Sequence, residues 1–245
     1  MNDSPRFSII IPTLQEETVL RRTLEQFTDD LRRRFNFEII ISDGGSTDGT
    51  LAIARTYGDI VVEYDPACKQ NISSGRNRGA AVARGDIFFF LNADVLIEDT
   101  DRFFSLMLET IRRPEISAAT CNVNIYPEEA NIPDWIFHNC FNGYFWFLNL
   151  VGMGMGRGEC HVIRKTVFES VGGYNEAMAA GEDYDLFLRI EKIGRIKFVR
   201  SLTVFESPRR FRKYGYVWIS FLWFVNALSV FLFRKSLVDE WKPIR

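Results

Sequence analysis

The stretch Phe37-Glu-Ile-Ile-Ile-Ser-Asp-Gly-Gly-Ser-Thr-Asp-Gly-Thr joins a short apolar run to a cluster of polar residues and glycines. Its first six residues, Phe37–Ser42, predict a buried strand, because phenylalanine and isoleucine favour strands and the run is short. The segment Ser46-Thr-Asp-Gly favours the start of a helix, which is predicted to end near Tyr57. A strand that leads through a polar turn into a helix is the repeating unit of parallel α/β sheets.

The same alternation extends along the chain on both sides of this stretch. Further strands are predicted at Phe7–Thr13, Ile60–Tyr64 and Asp86–Leu91, and further helices at Glu16–Arg34 and Ser73–Arg84. The run that ends at Leu91 is almost wholly apolar, as expected of a strand whose two faces are both covered. This order predicts an α/β protein with a Rossmann-type, mainly parallel sheet that has helices on both sides.

The second part of the chain alternates less regularly. Helices are predicted at Glu98–Arg113 and Glu182–Ile193, and extended segments at Ile116–Val123, Glu159–Arg164 and Ile196–Glu206. An aromatic segment, residues 134–151, and a glycine-rich loop, residues 152–158, lie between them. Because no linker of low complexity interrupts the chain, we expect one domain, residues 1–207, with halves at 1–94 and 95–207.

The composition fits one globular domain and excludes several classes of function. Of the 245 residues, 47% are hydrophobic, which suits a sizeable core. The net charge of −2 provides no basic field, so no nucleic-acid partner is expected. Two histidines are too few for a histidine-based zinc site. The start of the chain lacks the features of a secretory signal, so we expect the folded domain to lie in the cytoplasm. The cysteines form no Cys-x-x-Cys pair and are expected to be free thiols: Cys68, Cys121, Cys140 and Cys160.

Polar residues follow three of the predicted strands at the point where each strand ends. The first strand leads into Pro12-Thr-Leu-Gln-Glu-Glu, the second into Ser42-Asp-Gly-Gly-Ser and the fourth into Leu91-Asn-Ala-Asp-Val. Ligands of open parallel sheets bind at the carboxyl ends of the strands, so these loops predict one binding site. The dinucleotide fingerprint and the P-loop motif are both absent. The glycine-rich loop at 152–158 opens no strand–helix unit and is interpreted as a mobile loop over a substrate.

Five short motifs occur along the chain in a fixed order. They are Pro12-Thr-Leu-Gln-Glu, Asp43-Gly-Gly-Ser-Thr-Asp-Gly-Thr, Gly75-Arg-Asn-Arg-Gly, Asn92-Ala-Asp and Gly181-Glu-Asp. With this order and spacing the chain resembles glycosyltransferase family 2 over roughly residues 6–206. The resemblance implies the GT-A fold. It also implies an inverting transfer of a sugar from a nucleoside diphosphate to a hydroxyl group of an acceptor. The acceptor would be a saccharide or a molecule linked to a lipid.

The resemblance assigns the first half of the chain to the nucleotide. The first loop would hold the base and the ribose through Pro12, Thr13, Leu14 and Glu16. Asp43 resembles the aspartate that accepts a hydrogen bond from the ring N–H of the base. Arg76 resembles the arginine that supports this aspartate and the phosphates. Asn92 is placed to accept a hydrogen bond from the ribose.

The resemblance also implies a metal and a catalytic base. Asn92 and Asp94 occupy the D-x-D position, and because Asn92 lacks a charge, the metal would depend mainly on Asp94 and the donor's phosphates. Such oxygen ligands suit Mg²⁺ or Mn²⁺. Asp183 resembles the catalytic base, with Glu182 beside it. The chemistry requires such a base, since an acceptor hydroxyl is a poor nucleophile near neutral pH.

Two departures from the family leave alternatives open. Gln15 stands where the family usually has asparagine, and Asn92 replaces the first aspartate of D-x-D. The second change allows a catalytically weak module that binds nucleotide sugars. A sugar-1-phosphate nucleotidyltransferase would need a G-x-G-x-R loop where this chain has Thr13-Leu-Gln-Glu. The Q-x-x-R-W motif of processive synthases is absent, which favours a single addition.

Several candidate residues also have a purely structural interpretation. Asp43 is suited to cap the turn at Gly44-Gly45, and Arg76 suits a solvated helix face. Asp94 and the pair Glu182-Asp183 suit the first turn of a helix, where carboxylates interact favourably with the helix dipole. The ordered set of motifs favours the functional interpretation for Asp43, Asp94 and Asp183.

The segment 208–245 is predicted to be a hydrophobic, basic element that follows the domain. Tyr214–Phe233 has twenty residues without a charge, which as a helix would match the thickness of a bilayer core. Basic residues flank it, namely Arg209, Arg210, Arg212, Lys213, Arg234 and Lys235. A buried core helix, a membrane-spanning helix and an interfacial helix are the three interpretations. The basic flanks and the interfacial aromatic residues favour the last, and therefore a membrane-associated enzyme.

Overall fold

The computed structural model describes residues 4–67, 71–178 and 180–233, which form an eight-stranded mixed sheet flanked by helices. In chain order the strands are β1 Phe7–Thr13, β2 Phe37–Asp43, β3 Ile60–Val62, β4 Ile87–Leu91, β5 Leu96–Ile97, β6 Ile116–Ile125, β7 Cys160–Arg164 and β8 Arg195–Glu206. Across the sheet they lie in the order β3-β2-β1-β4-β7-β6-β8-β5.

Strands β1 to β4 form a parallel block at one side of the sheet. β1 pairs in parallel with β2 and β4, and β2 pairs in parallel with β3. β7 runs antiparallel to β4 and to β6, and β8 runs parallel to β6. The predicted mixed, mainly parallel sheet is therefore confirmed. The carboxyl ends of β1, β2, β4 and β8 lie at one edge of the sheet, beside the amino end of β7.

Two apolar clusters pack on the two faces of the sheet. Ile9 and Ile11 of β1 enter one cluster and Ile10 enters the other, because successive side chains of a strand point to opposite faces. All three side chains are fully buried. Burial on both faces explains why these strands are continuous apolar runs instead of alternating ones.

The helices are α1 Glu17–Glu25, α2 Asp29–Phe35, α3 Thr50–Tyr57, α4 Ile72–Val82, α5 Thr100–Arg112, α6 Ile132–Leu150, α7 Lys165–Ser170, α8 Glu182–Glu191, α9 Arg209–Tyr214 and α10 Tyr216–Phe233. The single helix predicted at Glu16–Arg34 is thus two helices. The oxygen of the Thr28 side chain accepts a hydrogen bond from the N–H of Leu31 and caps α2. Two aspartates follow in the first turn of α2, where the helix dipole favours them.

The C-terminal part of the described chain is α9 and α10. Gly215, at a φ of 74°, separates them, so the uncharged run Tyr214–Phe233 is not one helix. Ile219 of α10 is buried against Phe211 and Ile125, so one face of α10 packs on the domain. Among the helices of the described residues, none is found that is long and apolar enough to cross a membrane. Part of the predicted basic tail lies outside the described residues, including Arg234 and Lys235.

The described residues include three of the four cysteines. Cys121 and Cys160 are buried and Cys140 is exposed, and all three are free thiols, as predicted. The fourth, Cys68, lies outside the described residues.

Candidate active site

The loops that follow β1 and β2 are joined through the buried carboxylate of Asp43. One of its oxygens accepts hydrogen bonds from the hydroxyls of Thr13, at 3.2 Å, and Ser46, at 2.6 Å. The other accepts from the backbone N–H groups of Gly45 and Ser46, both at 2.9 Å. Asp43 therefore closes this turn, and its contact with a nucleobase stays a prediction.

Gln15 makes a second connection between these loops from a left-handed backbone conformation, with a φ of 57°. Its side-chain oxygen accepts from the N–H groups of Thr47, at 2.8 Å, and Asp48, at 3.2 Å. Few residues other than glycine adopt this conformation, and asparagine does so more readily than most. The asparagine that is usual in the family thus suits this left-handed backbone conformation. Gln15 adopts the same conformation, and its side chain reaches the loop after β2.

The other predicted residues of the first loop lie around this connection. Leu14 is exposed, whereas Thr13 is buried. Pro12 lies against α4, since a Cβ atom added at Gly75 would lie 3.3 Å from the Cβ atom of Pro12. The N–H of Glu16 donates to the hydroxyl of Thr50 at 2.7 Å, which ties the start of α1 to α3.

Arg76 of α4 is fully buried and connects three distant parts of the chain. Its Nη1 donates to Oε1 of Glu182 at 2.8 Å, which forms an ion pair. Its Nη2 donates to Oδ1 of Asn92 at 3.0 Å and to the carbonyl oxygen of Gly158 at 2.7 Å. Arg76 therefore joins the end of β4, the glycine-rich loop and the start of α8. These bonds do not include Asp43, which the resemblance had assigned to Arg76.

The start of α8 presents the candidate base. Gly181 adopts a left-handed conformation, with a φ of 78°, that glycine permits without strain. Asp183 is half-buried, and its Oδ1 accepts from the N–H of Tyr184 at 2.9 Å. Burial and then the charge of Glu182 raise the pKa of Asp183 well above its ordinary value, although Arg76 opposes this rise. A carboxyl group with a raised pKa and remaining access to solvent is suited to act as a general base.

Glu182 has a different position from Asp183, although both were predicted to be catalytic. Its carboxylate is buried and is bonded to the guanidinium group of Arg76. A carboxylate held in a buried ion pair is poorly placed to exchange protons with an acceptor. The geometry therefore suits Glu182 to orient the start of α8.

Asp94, the predicted metal ligand, lies just beyond the end of β4. Its Oδ2 accepts from Nη2 of Arg209 at 3.0 Å, and the same nitrogen donates to Oε2 of Glu16 at 3.1 Å. Within the described ranges, no group of three or more His, Cys, Asp or Glu side chains is arranged to hold a metal. Mg²⁺ commonly uses only one or two protein carboxylates and takes further oxygens from water and substrate phosphates. Asp94 and Glu16 supply two such carboxylates, and since both accept from Nη2 of Arg209, their oxygens face one point.

A buried ion cluster lies beside these residues and was not predicted from the sequence. Arg157 pairs with Glu206 at 2.8 Å and with Glu159 at 3.4 Å. Burial and then the charge of Glu159 raise the pKa of Glu206 well above its ordinary value, and Asp94 adds to this rise. Glu159 and Glu206 stand at the ends of β7 and β8 that meet at the edge of the site.

This cluster and Arg209 could have been found with the rule already used for the other loops, namely that ligands bind where parallel strands end. Ser207-Pro-Arg-Arg follows β8 directly, and β8 has the same direction as β4. The rule that ligands bind at carboxyl ends of parallel strands would therefore have included this loop. Applying the rule required the direction of β8, which the sequence did not provide.

Comparison with known proteins identifies the family. The family model described as glycosyl transferase family 2 matches residues 8–172. The validoxylamine A glucosyltransferase of Streptomyces hygroscopicus subsp. limoneus is 34% identical over 95 residues, which cover 38% of this chain and 21% of that protein. The chain spans between 16% and 52% of the length of the curated relatives compared with it.

Solved structures share the fold. The mannosyltransferase PcManGT from Pyrobaculum calidifontis, in complex with GDP-Man and Mn²⁺, has a TM-score of 0.65 at 19% identity, over 83% of this chain and 57% of that one. Glucosyl-3-phosphoglycerate synthase from Mycobacterium tuberculosis, in complex with Mn²⁺, UDP and phosphoglyceric acid, has a TM-score of 0.63 at 17% identity, over 94% and 78% of the two chains. These likenesses show the GT-A fold, and the match of residues 8–172 covers more than half of the sequence: the chain belongs to glycosyl transferase family 2.

Proposed function

We propose that this glycosyltransferase moves a sugar from a nucleoside diphosphate to an acceptor hydroxyl in one displacement that inverts the anomeric carbon. The observation that supports this most directly is the set of bonds made by Arg76. They hold the end of β4, where the donor's phosphates would lie, next to the start of α8, where Asp183 lies. Residues 1–94 would then bind the nucleotide and residues 95–207 the acceptor.

Asp183 is assigned as the base of this displacement. The acceptor oxygen forms a bond to the anomeric carbon, its proton passes to the carboxylate of Asp183, and the nucleoside diphosphate leaves with the electron pair of the broken bond. The raised pKa of Asp183 makes its carboxylate a stronger base than an ordinary aspartate near neutral pH. Arg76 and Glu182 would keep that carboxylate in position.

The nucleoside diphosphate would lie along the loops after β1, β2 and β4. Pro12, Thr13, Leu14 and Asp43 would line the site of the base and the ribose, and Asn92 would face the ribose or the phosphates. Asp94, with Glu16 nearby, would hold Mg²⁺ or Mn²⁺. Such an ion stabilises the charge that develops on the leaving diphosphate. The solved relatives contain GDP-Man or UDP together with Mn²⁺, which supports this choice of ligands.

The test begins with a donor screen. Nucleoside diphosphates and their sugar derivatives are added with Mg²⁺ or Mn²⁺, and the melting temperature is recorded. A ligand at 100 times its dissociation constant should stabilise the protein by about 2.7 kcal/mol. We then expect Asp183→Asn to retain donor affinity and to lower the rate of sugar transfer or donor hydrolysis by about 10²–10⁴-fold.

Asp94→Ala is expected to abolish turnover, and excess EDTA should do the same to the unaltered protein. Full activity of either would show that the proposed metal site is wrong. An unchanged rate in Asp183→Asn at saturating donor would place the base elsewhere. Binding of a sugar nucleotide without any turnover would favour the catalytically weak binding module.

We further propose that the acceptor is linked to a lipid and is reached at a membrane surface, in the synthesis of a cell-envelope glycan by a cytoplasmic catalytic domain. The supporting observation is the exposed apolar surface of α6 and α10, which contact each other through the rings of Phe141 and Trp223 at 5.7 Å. Its most exposed members are Ile132, Trp135, Leu150, Val217 and Phe224. Phe145 of α6 stacks on Tyr184, the neighbour of Asp183, at 6.3 Å. Phe145 is buried, so this contact packs α6 against the start of α8, beside the proposed base.

A further inference from the structure

Arg209 is the first residue of α9, and its guanidinium group lies between two loops of the candidate active site. A single nitrogen, Nη2, donates to Asp94 at 3.0 Å and to Glu16 at 3.1 Å. The other terminal nitrogen, Nη1, is buried and has no hydrogen-bond partner among the residues that the structure describes. Arg209 therefore uses one of its two terminal nitrogens and leaves the other available for an oxygen ligand.

The contact with Asp94 conflicts with the binding of a cation by the same carboxylate. A divalent ion bound to Oδ2 of Asp94 would lie close to the positive guanidinium group that donates to this oxygen. The charge of Arg210 is also near Asp94 and Glu206. Binding of the ion without any other change would therefore place three positive groups around one aspartate. The repulsion is removed when Arg209 leaves Asp94, or when further negative charge enters the site.

We propose that Arg209 is an exchangeable partner of Asp94, which it releases for a divalent cation when the diphosphate of the donor enters and becomes the new partner of its guanidinium group. This inference rests on the proposed function. An arginine is well suited to the second role, because its planar group donates two parallel hydrogen bonds to phosphate oxygens. The free Nη1 and the released Nη2 provide these two donors.

Two consequences follow from this exchange. In the absence of nucleotide, Arg209 competes with the cation, so the protein should bind Mn²⁺ weakly. In the presence of nucleotide, the competition ends, so each ligand should strengthen the binding of the other by the same factor, as linkage requires. The exchange thus keeps Asp94 paired before the donor binds and makes metal binding depend on the donor.

The test compares the Arg209→Gln variant with the unaltered protein. Mn²⁺ binding is titrated without nucleotide by electron paramagnetic resonance of the free ion. Binding of UDP, GDP, CDP and dTDP is then measured calorimetrically with saturating Mn²⁺. Arg200→Gln is the matched control, because it removes the same charge from an exposed position that contacts Trp146. Equal melting temperatures of the two variants would exclude a general loss of structure.

We expect Arg209→Gln to bind Mn²⁺ alone at least roughly fivefold more tightly, within the usual range of coupling between two sites. It should bind the preferred nucleoside diphosphate with Mn²⁺ at least about tenfold more weakly, the usual effect of losing a hydrogen bond to a charged group. Arg209→Lys keeps the charge without the planar group. It should bind Mn²⁺ alone as weakly as the unaltered protein and restore nucleotide binding only in part.

The outcomes separate this inference from the function on which it rests. If the unaltered protein binds a nucleoside diphosphate with Mn²⁺ and Arg209→Gln changes neither affinity, the exchange is wrong and the proposed function stands. Weaker binding of Mn²⁺ alone by Arg209→Gln would also overturn the exchange. If the unaltered protein binds none of the four nucleotides, the proposed function fails together with the inference.

Discussion

The guanidinium group of Arg76 has no exposed surface, and burying such a charge costs several kcal/mol unless its partners replace water. Glu182 supplies the opposite charge, while Asn92 and Gly158 supply neutral oxygens. One buried carboxylate already balances the arginine. The asparagine at position 92 therefore provides an acceptor without adding a second negative charge, which gives this departure from D-x-D a structural reason.

Stability measurements should show this role of Arg76. We expect Arg76→Met to lower the free energy of unfolding by about 3–5 kcal/mol, because Glu182 remains buried without a counter-charge. Arg76→Lys should cost less, since it keeps the charge and loses the planar arrangement of donors. Urea unfolding measures both variants. Arg55→Met is the control: Arg55 pairs with Glu63 at the surface, and its loss should cost about 1 kcal/mol or less. Equal effects of Arg76→Met and Arg55→Met would contradict the assignment.

The raised pKa of Asp183 should make stability depend on pH in the opposite sense to that of a salt-bridged carboxylate. Its contribution favours folding below the unfolded pKa of about 3.9 and is lost as the pH rises through the higher folded pKa. Asp183→Asn cannot ionise, so its melting temperature should rise relative to the unaltered protein as the pH increases. At pH 8 we expect a gain of about 2–4 °C, the usual effect of roughly 1 kcal/mol in a chain of this size. A difference that is constant between pH 4 and pH 8 would contradict this.

At the scale of the elements, local pattern predicted the parallel half of the sheet well. The strands β1, β2 and β4 were placed to within one residue, because a strand buried on both faces is a short, continuous apolar run. The break between α1 and α2 was missed because Leu24, Phe27 and Leu31 keep a helical spacing across it. Thr28 with the two aspartates after it was the signal for a new helix. Strand β5, with two residues, is too short to produce any pattern.

The candidate site was predictable to the extent that its residues lie in local motifs. The loops after β1, β2 and β4 and the start of α8 were all found in this way. The partners that connect them were not, because ion pairs between distant loops have no local signature. Arg209 was counted only among the basic residues that flank a hydrophobic run, and its bonds to Asp94 and Glu16 depend on the direction of β8.

For the whole molecule, the sheet order explains how such distant residues meet. Arg76 and Glu182 are 106 positions apart, and Arg209 and Glu16 are 193 positions apart. Because β7 is antiparallel to both β4 and β6, and β8 is parallel to β6, the loops before β7 and after β8 reach the same edge as the loop after β4. The topology therefore brings loops of both halves of the chain together at one candidate site, which supports treating the halves as a single domain.

The exposed apolar surface of α6 and α10 is also a property of the whole molecule, since the helices are distant in sequence. Trp218 and Phe221 stack on each other at 5.9 Å and are 53% and 55% exposed, although such rings are normally buried. Lys213 lies exposed just before α10, whereas Arg212 beside it is paired with the buried carboxylate of Asp134. Large exposed apolar rings next to basic residues are typical of a segment that lies in the interface of an anionic membrane.

We expect the protein to sediment with phosphatidylcholine vesicles. Binding should be stronger when phosphatidylglycerol is added and weaker at high salt, because basic residues act through a screened attraction. Trp218→Ser combined with Phe221→Ser should weaken this binding about tenfold or more, since each ring contributes roughly 1–3 kcal/mol when it leaves water. Ile193→Ser is the control, because Ile193 is 56% exposed and belongs to neither helix. If α10 is an interfacial helix, the double variant must lose vesicle binding and the control must keep it. The membrane interpretation is wrong if the unaltered protein sediments with neither kind of vesicle. It is also wrong if the double variant binds vesicles as strongly as the unaltered protein.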